Sequence, residues 1–284
     1  MKLNGKNKLL LGIGSVAVIF GTYFIYEHLM YVSTDDAQIG AHVVMLSSRV
    51  NGTIQRVLVE ENQKVKAGDT LAQIDTSDYS NASQAAQAQV ASLVARYKES
   101  EVNYQRAVDL LREQAIPRER YDEAQASYKE LSAKLKAAQA QNSQADLNVS
   151  YTKIIAPNDG TIARKSVEPG QFVPAGQALF GFVGSNDRWV TANLKETEMS
   201  EVHIGQRVRI DVDALTGDHF EGEVESISPS TGAVFSLLPP DNSTGNFTKV
   251  VQRVPVRIKL TNLKAGDIDR LQAGLSAVVG IRVR

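Results

Sequence analysis

The chain has 284 residues, 43% hydrophobic and 22% charged, with a formal net charge of −1 at pH 7 and no cysteine. So mild a charge excludes nucleic-acid or acidic-lipid binding driven by bulk electrostatics. The missing cysteine excludes a disulfide framework, a thiolate nucleophile, a Cys metal site and a cysteine-linked lipid.

Residues 9–26 (LLLGIGSVAVIFGTYFIY) carry no charge. At 1.5 Å per residue they cover about 27 Å, close to the hydrocarbon thickness of a bilayer. Lys2, Lys6 and Lys8 precede the run, and Glu27, Asp35 and Asp36 follow it. The positive-inside rule then puts the N-terminus in the cytoplasm and the rest of the chain outside. A cleaved signal peptide is the rival reading, but its apolar region is usually shorter and ends at an A-x-A-like site. Here the run ends in Tyr23, Phe24 and Tyr26, an aromatic interface pattern. The division expected is a tail over 1–8 and an anchor over 9–28. A linker and first barrel strand follow over 29–42, drawn from the strand candidate Asp36–Met45.

Residues 52–71 and 160–179 are one motif written twice, at a constant offset of 108. Ten of twenty positions are identical, among them Gly52/Gly160, Gln63/Gln171, Val65/Val173, Gly68/Gly176 and Leu71/Leu179. Average residue usage gives roughly one identity by chance. Gly52, Gly68, Gly160 and Gly176 are expected at tight turns with positive φ, between half-buried strands. Neither copy can bury its own apolar face, so the two halves (43–78 and 152–184) should pack on each other as one sandwich.

Between the copies the chain makes a helical excursion, expected over 79–151. No glycine occurs between Gly68 and Gly160, and Pro117 is the only proline before Pro157. Heptad spacing predicts a seam of Tyr121, Ala124, Tyr128, Leu131, Leu135, Ala138, Asn142, Ala145 and Val149 on the returning arm. On the outgoing arm it predicts Val90, Val94, Tyr97, Glu101, Tyr104, Val108 and Leu111. Pro117 suits the first turn of the returning helix, and Gln114–Ala115–Ile116 is then the tip. Two arms of about 33 residues make an antiparallel coiled-coil rod about 50 Å long.

The last hundred residues, 185–284, read as a small β-barrel. Strands are expected at Trp189–Leu194, Arg207–Asp213, Glu223–Ile227, Val251–Leu260 and Ala277–Val283, with a short polar helix at Lys195–Val202. The stretch 235–248 (FSLLPPDNSTGNFT) is a long loop, a length usually functional or mobile. The fold class is therefore α+β, mainly β.

Chemistry is hard to place on these residues. His28, His42, His203 and His219 stand alone, without an H-E-x-x-H spacing, and G-x-S-x-G and phosphate-loop patterns are missing. Asp35-Asp36 reads as a solvated strand edge rather than a metal pair. A biotin or lipoate carrier would place a lysine at the hairpin turn, where this chain has Thr76-Ser77-Asp78-Tyr79 and Phe180-Gly181-Phe182-Val183. No enzyme activity, cofactor or metal is expected.

The order of anchor, split lipoyl-like motif, helical hairpin and barrel resembles the membrane-fusion (periplasmic adaptor) proteins of the HlyD family. Thr34-Asp35-Asp36-Ala37, the half-motif Asn62-Gln63-x-Val65-x-x-Gly68 and residues 235–258 resemble its EmrA-like branch. The resemblance implies a barrel-sandwich hybrid fold and an inner-membrane anchor with the bulk of the chain in the periplasm of a Gram-negative envelope. It also implies a homo-oligomeric funnel joining an inner-membrane pump of the major-facilitator type to an outer-membrane channel of the TolC type, for efflux of hydrophobic drugs or toxic compounds. An adaptor of an ABC-type exporter or polypeptide secretion system shares the architecture and is the alternative. Such adaptors often carry an Arg, a Leu four residues later and a Ser seven beyond, the set implied to dock on the duct. Arg106 and Leu110 fit that spacing, and Pro117 replaces the Ser, beside Ile116 at the tip. A solvated Arg106 and a hairpin-contact Leu110 remain the plain alternative. In the long loop, Phe235, Leu237, Leu238 and Phe247 are candidates for substrate or pump contact.

Overall fold

The computed structural model describes residues 30–235, 251–264 and 266–283. The anchor expected at 9–28 and the loop residues Leu237, Leu238 and Phe247 lie outside the described residues. Among the described residues no helix is long and apolar enough to cross a membrane. The chain divides into two units, one of residues up to His42 and from Val183 onward, the other of Val43–Phe182.

The second unit holds both motif copies. The first copy forms β2 (Gly52–Val57), β3 (Lys64–Val65) and β4 (Thr70–Ile74). The second forms β6 (Gly160–Lys165), β7 (Phe172–Val173) and the start of β8 (Ala178–Lys195). The copies exchange strands. Gly52 pairs with Val173, and at the same offset Gly160 pairs with Val65. Backbone hydrogen bonds repeat this reciprocity: Ile54 N–H donates to Gln171 at 2.8 Å, and Ile162 N–H to Gln63 at 3.0 Å. Each sheet therefore mixes strands from both copies, so neither half has a complete sheet of its own. Ile54, Leu71, Ile74, Ile162, Leu179, Phe180 and Phe182 are fully buried between the sheets. Burying a side chain of this size is worth about 1.5–3 kcal/mol. One sheet has the order β5-β4-β2-β7, where β5 is Lys153–Ile155.

The excursion is a hairpin of two helices, α1 (Ser77–Arg112) and α2 (Arg118–Tyr151). On α2 every residue of the expected seam is at least half-buried. On α1 the seam is corrected. Val90, Tyr97, Glu101, Tyr104, Val108 and Leu111 are half-buried as expected, but Val94 is exposed, and the buried positions are Leu93, Ser100 and Ala107. Tyr97 lies 5.4 Å from Tyr128, Tyr104 lies 5.8 Å from Tyr121, and Tyr104 stacks on Tyr128 at 5.2 Å between ring centroids. Four rings fill this stretch, and the small side chains of Ser100 and Ala107 are buried there. Their hydroxyls pair, Tyr97 with Tyr128 at 3.0 Å and Tyr104 with Tyr121 at 3.3 Å. Pro117 is the N-cap of α2, with φ −62° and ψ 150°, rather than a residue of its first turn.

The first unit is built from β1 (Tyr31–Ser47), β8, β9 (Arg207–Val212), β10 (His219–Ile227), β11 (Arg253–Thr261) and β12 (Ser276–Arg282). The order is β1-β12-β9-β10-β11-β8, and a further β1–β8 pairing closes it into a ring. The early strand thus joins the C-terminal barrel. Alternate residues point inward, among them Val190, Leu194, Val208, Ile210, Ile258, Val279 and Ile281. β10 begins at His219, four residues earlier than its apolar alternation suggests, because Gly222 interrupts the pattern. A Cβ there would sit 2.7 Å from Ile258 Cγ2 and 2.8 Å from the Lys259 carbonyl, so the barrel wall has no room for one. The polar stretch after β8 is a 3-10 helix, Glu196–Glu201.

Candidate functional site

At the hairpin tip, α1 runs out at Arg112, and Gln114 takes a left-handed φ of 60°. Gln114 N–H donates to Leu111 at 3.0 Å and Ala115 N–H to Leu110 at 2.8 Å, which satisfies carbonyls the helix end would leave unpaired. Arg106 and Leu110 stand one turn apart on α1, both exposed, Leu110 at 41%. Ile116 is half-buried and Pro117 exposed. The four residues thus occupy the last two turns of one helix and the entry to the next, with three apolar side chains and one cation facing outward or half outward. Asp109–Arg112, Arg118–Asp122 and Arg120–Glu123 surround them as exposed ion pairs, each worth little to stability.

Of the glycines expected at turns, Gly68 and Gly176 have φ of 86° and 89° and do turn the chain. Gly52 and Gly160 instead open strands β2 and β6, which corrects the turn reading for those two, although Gly52 keeps the expected positive φ, 151°. Gly52 is needed for space: a Cβ would lie 2.5 Å from Ile74 Cγ2. Phe235 closes a 3-10 turn, Gly232–Phe235, at the edge of the described residues.

The Thr34-Asp35-Asp36-Ala37 motif proves to be an element of barrel closure. Inward-facing positions on β1 are Val32 and Thr34, then Ala37 and Ile39, so the alternation changes phase. Thr34 pairs with Val279 and Ala37 with Ala277, one extra residue on β1 and hence a bulge. The bulge aims Asp36 along the seam. Its carboxylate accepts from Asn193 Nδ2 at 3.1 Å and from Arg253 Nη1 at 2.6 Å, and Thr34 Oγ1 donates to the Asn193 carbonyl at 3.0 Å. Asp36 therefore ties β1 to β8 and β11. Asn193 and Arg253 escaped sequence reasoning because they lie over 150 positions away.

Titration is perturbed at a few points. At the start of α1 the Ser77 backbone N–H and hydroxyl hold the Asp75 carboxyl below its ordinary range. In the rod, the Tyr128 hydrogen bond pushes Tyr97 up to about 12. Among the described residues no group of three His, Asp or Glu side chains is placed to hold a metal ion.

A family model described as the barrel-sandwich hybrid domain of RND membrane fusion proteins matches residues 42–184. A second, the CusB-like beta-barrel domain, matches 188–239. The colistin resistance protein EmrA of Acinetobacter baumannii is 31% identical, over 98% of this chain and 96% of its own. The multidrug export protein EmrA of Haemophilus influenzae is 32% identical, over 97% and 82%. A solved structure of the periplasmic adaptor protein EmrA aligns with a TM-score of 0.50 and 21% identity, over 90% of this chain and 99% of that one. With the sandwich and barrel matched by those family models and relatives aligned over nearly its whole length, the chain belongs to the membrane fusion protein family, as an EmrA-like periplasmic adaptor.

Proposed function

We propose that this chain is the periplasmic adaptor of a drug-efflux assembly, held in the inner membrane by residues 9–28 with its N-terminus in the cytoplasm. It links an inner-membrane pump of the major-facilitator type to an outer-membrane channel of the TolC type. The observation that carries this reading is the similarity to EmrA of A. baumannii, which extends over 98% of this chain and 96% of that protein's length. The adaptor does no chemistry, and the pump supplies the energy. Copies assemble into a homo-oligomeric funnel with the rods bundled as coiled coils. Arg106, Leu110, Ile116 and Pro117 meet the channel, Phe235, Leu237, Leu238 and Phe247 face pump or substrate, and the sandwich glycines hold the base in shape. A desolvated apolar contact at the tip fits docking better than folding, because hairpin ends have few core contacts. Affinity purification of the full-length protein from membranes, with identification of the co-purifying transporter, tests this. A major-facilitator pump is expected. An ABC exporter, or no transporter at all, would sink the pump assignment.

A further inference from the structure

Four of the chain's nine tyrosines stand together in the rod, Tyr97 and Tyr104 on α1 and Tyr121 and Tyr128 on α2. A coiled-coil seam asks only for apolar volume at such positions, and leucine supplies it without a polar atom to satisfy. Seam packing alone therefore does not call for four hydroxyls, and their arrangement is specific. The Tyr97 and Tyr128 hydroxyls meet at 3.0 Å with ring planes 33° apart, so the rings lie side by side with their oxygen ends converging. Tyr104 and Tyr121 repeat the pairing more loosely, at 3.3 Å and 42°. Tyr104 also stacks on Tyr128, which joins the two pairs. All four side chains are half-buried rather than sealed in.

The rest of the chain directs oxidation chemistry to this place. There is no cysteine, so no thiol intercepts an oxidant and no disulfide can join the two helices. Other described tyrosines have different neighbours. Tyr31 lies under Arg209 and Tyr151 under Arg49, each with the guanidinium 5.0 Å from the ring, and Tyr79 donates to the Asn51 carbonyl at 2.8 Å. Those neighbours are cations and a carbonyl, whereas in the rod each phenol lies against a second phenol.

We propose that the Tyr97–Tyr128 pair is an oxidative modification site, where peroxyl radicals couple the two phenols into a dityrosine that fastens α1 to α2. Each of two peroxyl radicals takes a hydrogen atom from one hydroxyl and becomes a hydroperoxide. The two phenoxyl radicals then join carbon to carbon, each through the ring position next to its oxygen. The hydrogens on those carbons move to the oxygens, which restores both phenols. The protein loses two hydrogen atoms in all, and the two peroxyl radicals hold them. The partners are already in contact, so coupling within the rod outpaces coupling between separate chains. The new bond joins residues 31 positions apart and restricts the unfolded chain as a disulfide would. A rod without thiols thereby has a covalent fastening available under oxidants.

The test exposes the full-length protein in detergent micelles to peroxyl radicals, made in air by a thermally decomposing water-soluble azo compound. Trypsin digestion and mass spectrometry follow. The single chain should lose two hydrogens and gain dityrosine fluorescence. Residues 97–98 should emerge joined to residues 121–129, at least fivefold above residues 99–106 joined to the same peptide. Tyr97→Phe should lower the dityrosine yield at least threefold, whereas Tyr104→Phe should keep at least half of it. Oxidation of Trp189 or of methionines without the linked 97–98 peptide overturns the site. So does linkage mainly between chains, linkage mainly through 99–106, or an unchanged yield from Tyr97→Phe. The linked peptides of the unaltered protein decide the matter even where a variant loses its helices.

Discussion

Asn62 and Gly170 hold the same place in the two halves of the sandwich. Asn62 N–H donates to the Ile162 carbonyl at 2.7 Å, and Gly170 N–H to the Ile54 carbonyl at 2.8 Å, each from a left-handed backbone with φ of 66° and 85°. Asparagine tolerates that region better than other side chains, and glycine occupies it freely. Gly170→Asn should therefore cost less than about 1 kcal/mol, and Gly170→Val about 1–3 kcal/mol. Denaturant unfolding measures both, and equal costs would contradict the equivalence of the two sites.

Gly40 makes room for Trp189, the only tryptophan. A Cβ at Gly40 would collide with the indole. That indole has Arg257 stacked 4.0 Å from its ring and His42 at its edge, 4.9 Å between centroids. Gly40→Ala should displace the indole and shift its fluorescence emission, with a destabilisation of roughly 1–3 kcal/mol from overpacking. An unchanged spectrum would refute this packing.

The barrel seam should weaken when Asp36 is altered. Asp36→Ala loses an Arg253 pair that is partly exposed, worth at most about 1 kcal/mol, and the Asn193 bond, worth about 1 kcal/mol more. Asp36→Asn keeps an acceptor and should cost less. In a double-mutant cycle, Asp36→Ala and Arg253→Ala should couple, and additive effects would show that the pair contributes nothing.

The tyrosine cluster predicts a loss of rod stability in base. The Tyr97 pKa in the folded rod is about 12, raised by its Tyr128 hydrogen bond, against about 10 in an unfolded chain. A folded pKa above the unfolded one means the contribution is complete below about pH 10 and fades as pH rises toward the folded value. Helix content followed by circular dichroism should fall over that window, and less steeply in Tyr97→Phe. An identical profile for the variant would remove Tyr97 from the account.

Much of this fold was legible in the sequence, and the failures share physical causes. The repeat announced the sandwich, since ten identities survive at one offset. Its full extent stayed hidden because twin positions can do one job with different residues: Asn51 Oδ1 accepts from Ala175 N–H as Asp159 Oδ1 does from Ala67 N–H. Periodicity found Tyr97 and Tyr104 but chose Val94 over Leu93, because a 3-4 and a 4-3 spacing from Val90 fit the heptad equally well. The bulge at Asp35–Asp36 reverses the β1 alternation, so that motif read as an exposed edge when Asp36 in fact closes the ring. Arg106 and Leu110 could be named from spacing and the tip at 114–116 from Pro117, whereas the left-handed backbone at Gln114 carried no glycine to reveal it.

The adaptor role is tested most directly at Leu110. In a Leu110→Cys protein, oxidation in whole cells should yield an adduct between the hairpin tip and a subunit of the outer-membrane channel. Leu110→Asp should reach the membrane at normal levels with an intact fold. Placing a charge in that contact should weaken channel binding by about 1–3 kcal/mol, several-fold to hundreds-fold, and lower export accordingly. Normal export by Leu110→Asp, together with no adduct from Leu110→Cys, would contradict the account.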